Sequence, residues 1–293
     1  MNHSRIFNSL KCPKWIIDNT QYLVIMGSQS YGVSTDESDY DFYGFTIPSK
    51  EDIFPHLKGY IHGFGENHKG FETYQQHGFE DTSSGKPCDF TIYSIVKFFD
   101  LCMKNNPNMI DSLFVPDNCI VRYSPIGNLV RENRHLFLHK GCYQRFKSYA
   151  YQQLNKIRNK KPSGKRDAVV ERFGYDVKYA YNLVRLINEV EQILIEGTLD
   201  LQRSKEQLKD IRNGGWELSR VEQYFRDKER HLEEAYHKSD LPAVPDDRAI
   251  KSLLLECLTL HFGSLEGSIV DRGKYEGALR SISKICNDIL RGS

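Results

Sequence analysis

Two aspartates one residue apart, Asp39 and Asp41, follow a Gly-Ser pair, Gly27-Ser28, at the far end of one short loop. On a strand, alternate side chains share a face and each residue rises about 3.3 Å. Asp39 and Asp41 therefore point the same way, roughly 6–7 Å apart. Two such carboxylates can hold divalent cations between them. The Gly-Ser turn offers backbone N–H groups and a hydroxyl to phosphate oxygens, with no Cβ at Gly27 to block close approach. Asp89, ahead of the apolar run Phe90–Ile95, supplies a third acid, although Asp81 and Asp100 compete for that place. Three carboxylates on adjacent strands can cage two ions roughly 3.5–4 Å apart, the arrangement that aligns an attacking oxygen with a leaving pyrophosphate. Mg2+, with Mn2+ as a substitute, suits such oxygen ligands. The chemistry indicated is phosphoryl or nucleotidyl transfer.

The flanking residues read as the elements that place these groups. Residues 14–26 suggest a short helix running into a strand, Tyr22–Met26, with a partner strand at 41–47 beyond the loop 27–40. A third strand is expected at 88–95, then a helical pattern through Met103. The Gly-, His- and aromatic-rich stretch 51–87 reads as a β-hairpin or irregular insertion. Beyond about residue 140 the texture becomes helical, with helices expected at 143–158, 168–196, 203–213, 217–238, 245–262 and 267–290. The one at 168–196 carries Phe173, Val177, Ala180, Val184, Ile187 and Leu194 on one stripe and has Gly197 as its C-cap. The expected fold is α+β: a catalytic module at 1–140 with a mixed sheet and flanking helices, then a mainly helical module at 141–293.

The 293 residues suffice for a real core, and 39% hydrophobic with 27% charged residues is an ordinary soluble balance. A formal net charge of +1 requires that any nucleic-acid surface be a local patch. No run of eighteen apolar residues suggests a membrane span, and the first residues lack the apolar core of a signal peptide. Seven scattered cysteines without C-x-x-C spacing read as reduced thiols in a cytoplasmic protein.

Two further groups bear on ligands. Lys178, Tyr181, Asn182 and Arg185 fall three or four apart, on a stripe opposite the apolar one. A solvated face and a nucleotide-facing surface both fit that stripe. The basic stretch Lys156, Arg158, Lys160, Lys161, Lys165 and Arg166, with Tyr143, Tyr149 and Tyr151 just upstream, is the best nucleic-acid candidate, since cations neutralise phosphates and rings stack on bases. A solubilising loop is the plainer reading of it. Ser38 is placed to cap a turn or to bond the Asp39 carboxylate.

The extended pattern Gly-Ser-x-x-Tyr-Gly-x-x-x-x-x-Ser-Asp-x-Asp-x-x-Gly, from Gly27 to Gly44, resembles the nucleotidyltransferases of the DNA polymerase beta superfamily. Within that superfamily the chain is similar to predicted nucleotidyltransferases associated with RNA ligases and RNA repair, also at Gly174–Leu186 and Leu208–Gly214. The resemblance implies that Gly27 and Ser28 hold the β/γ-phosphates of a triphosphate and that Asp39 and Asp41 bind both metals. It also implies that Asp89 completes the metal site and helps deprotonate the attacking hydroxyl. Tyr31 packs behind the phosphate loop or touches nucleotide, and Lys178, Tyr181 and Arg185 become candidates for nucleotide contact. The expected activity is transfer of NMP from an NTP, with ATP or CTP favoured, to an RNA 3′ end such as tRNA under repair. A protein side chain or small molecule as acceptor, and a non-catalytic nucleotide- or RNA-binding module, are the alternatives.

Overall fold

The computed structural model describes residues 3–60, 70–80, 85–160 and 164–266, with isolated positions at 268, 282–283 and 285–286. At its centre is a mixed five-stranded sheet of order β3-β4-β2-β1-β5. In chain order, a 3-10 turn, His3–Ser9, and α1 (Lys14–Asp18) lead into β1 (Thr20–Met26) and β2 (Tyr40–Thr46). Then come α2 (Lys50–Ile53), β3 (Thr73–Glu80) and β4 (Pro87–Ser94), followed by α3 (Ile95–Met103) and α4 (Pro107–Leu113). The edge strand β5 (Ile120–Tyr123) and α5 (Pro125–Glu132) complete this part.

β1 is buried along its whole length, Thr20 to Met26, because it is central and covered on both faces. It pairs antiparallel with β2 and β5. β2 pairs parallel with β4, and the register sets Asp41 opposite Asp89. Phe42, Phe45, Phe90 and Ile92 line the core, where the Phe45 and Phe98 rings lie 5.0 Å apart. On β2 the alternate positions, Asp41 and Tyr43, are half-buried, so the acids occupy the sheet's wetter face. β3 and β4 form an antiparallel hairpin, which answers the expectation for 51–87 in part; residues 61–69 and 81–84 lie outside the described residues.

The remaining helices are α6 (Cys142–Asn159), α7 (Lys165–Phe173), α8 (Val177–Glu196), α9 (Lys205–Arg212), α10 (Leu218–Lys238) and α11 (Asp247–Phe262). The helix expected at 168–196 is in fact two. Gly174 adopts φ +78° and ends α7 with a left-handed cap, and the Asp176 carboxylate then accepts from Lys178 N at 2.9 Å to open α8. α8 is buried nearly all round, from Val177 to Leu194, packed against α6, α9 and α10. A helix enclosed in this way has no solvated face at its centre. The stripe of Lys178, Tyr181, Asn182 and Arg185 is accordingly split: Lys178 is exposed and Asn182 half-buried, whereas Tyr181 and Arg185 are inside. α11 returns to lie against α3 and α5. The helix expected at 267–290 falls outside the described residues apart from the isolated positions. Among the described residues no helix is long and apolar enough to cross a membrane.

Candidate active site

The Gly-Ser turn folds as a compact loop between β1 and β2. Tyr31 N bonds Gly27 O, Gly32 N bonds Gln29 O, and Val33 N closes on Ser28 O at 2.9 Å. These bonds use the amides of residues 31–33. The successive amides of Ser28, Gln29 and Ser30 have no acceptor among the described residues. A run of free amides on a turn is an anion cradle.

Gly27 sits at φ +66°, and a Cβ there would lie 2.3 Å from Asp41 Oδ2. The Gly-Ser turn and the carboxylate are thus packed directly on one another, with only a glycine's hydrogen between them.

Asp41 is half-buried, and Asp39, the residue before β2 begins, is exposed. Burial pushes the Asp41 carboxyl up; the charges of Asp89 and Asp39 push the same way, while Lys178 and His77 oppose them. Tyr43, next along this face, is pushed up to about 12 by burial, then by Tyr93, Asp41 and Asp89. Asp89 is held by β3: Gly78 N donates to its Oδ1 at 2.9 Å, and His77 Nδ1 lies 3.4 Å from its Oδ2. Ser38 does not reach Asp39; its hydroxyl accepts from Thr35 N at 2.9 Å and closes the preceding turn. Of the rivals for the third acid, Asp100 pairs with Lys104 on α3 at 2.6 Å, and Asp81 lies outside the described residues.

Behind the turn is a buried ionic network that the sequence did not announce. The Tyr31 hydroxyl donates to Asp111 Oδ2 at 2.7 Å, and Arg185 Nη1 donates to the same oxygen at 2.6 Å. Arg185 Nη1 also bonds Glu189 at 2.8 Å, and its guanidinium stacks on the Tyr31 ring at 4.2 Å. Arg185 is 6% exposed and Asp111 0%, so Arg185 holds the turn from behind instead of facing a ligand. Tyr181, at 4% exposure, is likewise inside, under Arg212. Two more bonds fix the turn: Arg212 Nη1 to Val33 O at 2.6 Å and Gln202 Nε2 to Ser30 O at 3.3 Å.

The basic stretch divides. Arg158 is committed to Glu222 on α10 through two bonds, 3.0 and 2.6 Å. Lys156, Lys160 and Arg166 gather instead around Tyr179. Lys161 and the Lys165 side chain lie outside the described residues.

The all-oxygen donor set of Asp39, Asp41 and Asp89 suits a hard cation such as Mg2+. The upward push on Asp41, from burial first and then from Asp89 and Asp39, is of the sign that a bound cation would oppose. As placed, no group of three or more acidic, His or Cys side chains among the described residues is drawn tightly enough to hold an ion.

No curated relative matches the chain. A solved nucleotidyltransferase-like protein from Exiguobacterium sibiricum 255-15 aligns over 75% of this chain and 69% of its own, at 11% identity and a TM-score of 0.27, too low to carry an argument. The sequence matches the family described as the RNA repair pathway DNA polymerase beta family over residues 14–256. That span contains every residue discussed above from Gly27 to Glu222, and the chain belongs to the RNA repair pathway DNA polymerase beta family.

Proposed function

We propose that this protein is a metal-dependent nucleotidyltransferase that moves NMP from an NTP to the 3′ hydroxyl of an RNA, releasing pyrophosphate, in the cytoplasm. The observation that carries this reading is the contact between turn and acid: at Gly27, where φ is +66°, a Cβ would lie 2.3 Å from Asp41 Oδ2, so turn and carboxylate touch. Phosphates on the free amides of Ser28–Ser30 would therefore lie beside the carboxylates. Asp39, Asp41 and Asp89 would hold the divalent cations, whose chemistry is to neutralise the phosphates and acidify the hydroxyl.

The chain's own residues do the positioning. The amides of the turn orient the β/γ-phosphates, and Lys178, exposed at the start of α8 and within electrostatic reach of Asp41, adds a cation on the same side. The attacking oxygen forms a bond to Pα as the Pα–O bond to pyrophosphate breaks, and the hydroxyl proton passes to Asp89. The division of labour between a catalytic module at 1–140 and a helical module at 141–293 belongs to the same proposal.

The test is transfer from labelled NTPs with Mg2+ or Mn2+ across separate RNA, protein and small-molecule acceptors. Label should enter RNA, and Asp39→Asn with Asp41→Asn should abolish transfer while the fold is retained. Turnover in that double variant, or label entering only protein or small molecules, would overturn the proposal.

A further inference from the structure

Three cations converge on one tyrosine where α6, α7 and α8 meet. Arg166 lies 4.4 Å from the centroid of the Tyr179 ring, Lys156 5.6 Å and Lys160 5.7 Å. Lys160 Nζ also donates to the Tyr179 hydroxyl at 3.0 Å. Among the described residues a single carboxylate answers them: Asp176, 3.0 Å from Arg166. Lys156 and Lys160 have no acidic partner among the described residues, and both are exposed while the ring between them is 7% exposed. Like charges gathered around one ring repel. The ring face and one aspartate offset this only in part, so the cluster retains an unmet demand for anionic charge.

Its position says which anion. Tyr179 follows Lys178 in the first turn of α8, and Lys178 is within electrostatic reach of Asp41. On α6, Arg145, Tyr149 and Lys156 recur at helical spacing on one stripe that Lys160 follows as the C-cap, with the Arg145 guanidinium 5.8 Å from the Tyr149 ring. At 1.5 Å per residue that stripe is about 22 Å long, the reach of three or four nucleotides. Tyr149 is electrostatically linked to Tyr93 on β4, Tyr93 to Tyr43, and Tyr43 to Asp41 and Asp89. Cations flanking a ring along one helix stripe suit a strand of linked phosphates and bases better than a lone phosphate.

We infer that Lys156, Lys160 and Arg166, assembled on Tyr179, form a clamp for backbone phosphates of a single-stranded RNA end. The clamp delivers that end to the acids. This deepens the proposed activity and rests on it, but it is read by binding in the absence of any NTP, so it succeeds or fails separately from transfer.

The probe is a fluorescein-labelled single-stranded RNA of about ten nucleotides, titrated by anisotropy from low to high salt. The Lys156→Gln/Lys160→Gln variant should bind at least about tenfold more weakly at low salt, and its log K against log salt slope should flatten by about 1.4 for two lost contacts. Asp39→Asn/Asp41→Asn should bind as the wild type does while transferring nothing. NTP KM should stay unchanged in the lysine variant. Unaltered RNA affinity and slope overturn the clamp. So does a rise in NTP KM alone, which would assign the cations to the triphosphate, or a loss of thermal stability alone, which would make them a helix staple. Lys156→Gln by itself, at an exposed position, gives the same reading with about half the slope change should the double variant fold poorly.

Discussion

At the scale of single residues, Gly27 and Arg185 make opposite demands. Gly27 must be empty, because a methyl group there meets Asp41 Oδ2 at 2.3 Å on a backbone with φ +66°. Gly27→Ala should cost about 1–2 kcal/mol in the left-handed conformation and displace the carboxylate as well. A fall in transfer rate much larger than the loss in stability, measured by kinetics beside thermal unfolding, is the expected outcome. Arg185 must be full, because it stands between two buried carboxylates, Asp111 and Glu189. Arg185→Ala leaves Asp111 without its counter-charge and Glu189 without its donor, and should destabilise by about 3–5 kcal/mol; a soluble variant with unchanged unfolding and raised NTP KM would instead make Arg185 a ligand residue. Burial lifts the Glu189 carboxyl to about 8 against an ordinary 4.5, with Arg185 opposing. The folded protein then binds the proton more tightly than the unfolded chain does. The resulting contribution to stability is fully present below about pH 4.5 and is lost as pH rises through about 8. Glu189→Gln has no such proton to lose, so its stability relative to wild type should improve steadily across that window in denaturant titrations. A constant gap would show that Glu189 titrates normally.

At the scale of elements, what the sequence made legible follows from where each pattern comes from. The runs Tyr22–Met26 and Cys88–Ser94 are apolar because their strands are interior, and Asp39 and Asp41 stand out because they sit at the start of a third interior strand, β2. β5 escaped because it is four residues long, partly exposed and carries Arg122. The break between α7 and α8 was hidden because Phe173 and Val177 keep helical spacing across Gly174. The burial of Arg185 was equally hidden: an Arg and a Glu four apart read locally as a surface pair, and the partner that takes them inside, Asp111, is 74 positions away. α8 also has an end that matters, since its first turn carries Lys178. Removing that cation by Lys178→Ala should leave thermal stability within about 0.5 kcal/mol, because the side chain is exposed. Apparent KM for NTP should rise in steady-state assays, and an unchanged value would remove Lys178 from the triphosphate.

At the scale of the whole molecule, the proposed division near residue 140 is a change of texture that many contacts cross. Tyr31 and Asp111 meet Arg185, Ser30 O meets Gln202, and Val33 O meets Arg212, so α8, α9 and the segment between them hold the Gly-Ser turn that the sheet presents. Lys140 N bonds Pro242 O at 2.8 Å, and α11 packs back on α3 and α5. The first 140 residues alone would expose the apolar surfaces of α3 and α5 and leave Asp111 facing an empty site where Arg185 belongs. Multi-kcal losses of that kind exceed the 5–15 kcal/mol margin of an ordinary domain when they accumulate. A fragment of residues 1–140 should therefore show no cooperative thermal transition and no NTP binding by calorimetry, whereas mixing it with 141–293 should restore both. Cooperative unfolding of the first fragment near the temperature of the full chain would mean that the turn holds its shape without the helices, and that Arg185, Gln202 and Arg212 are passengers.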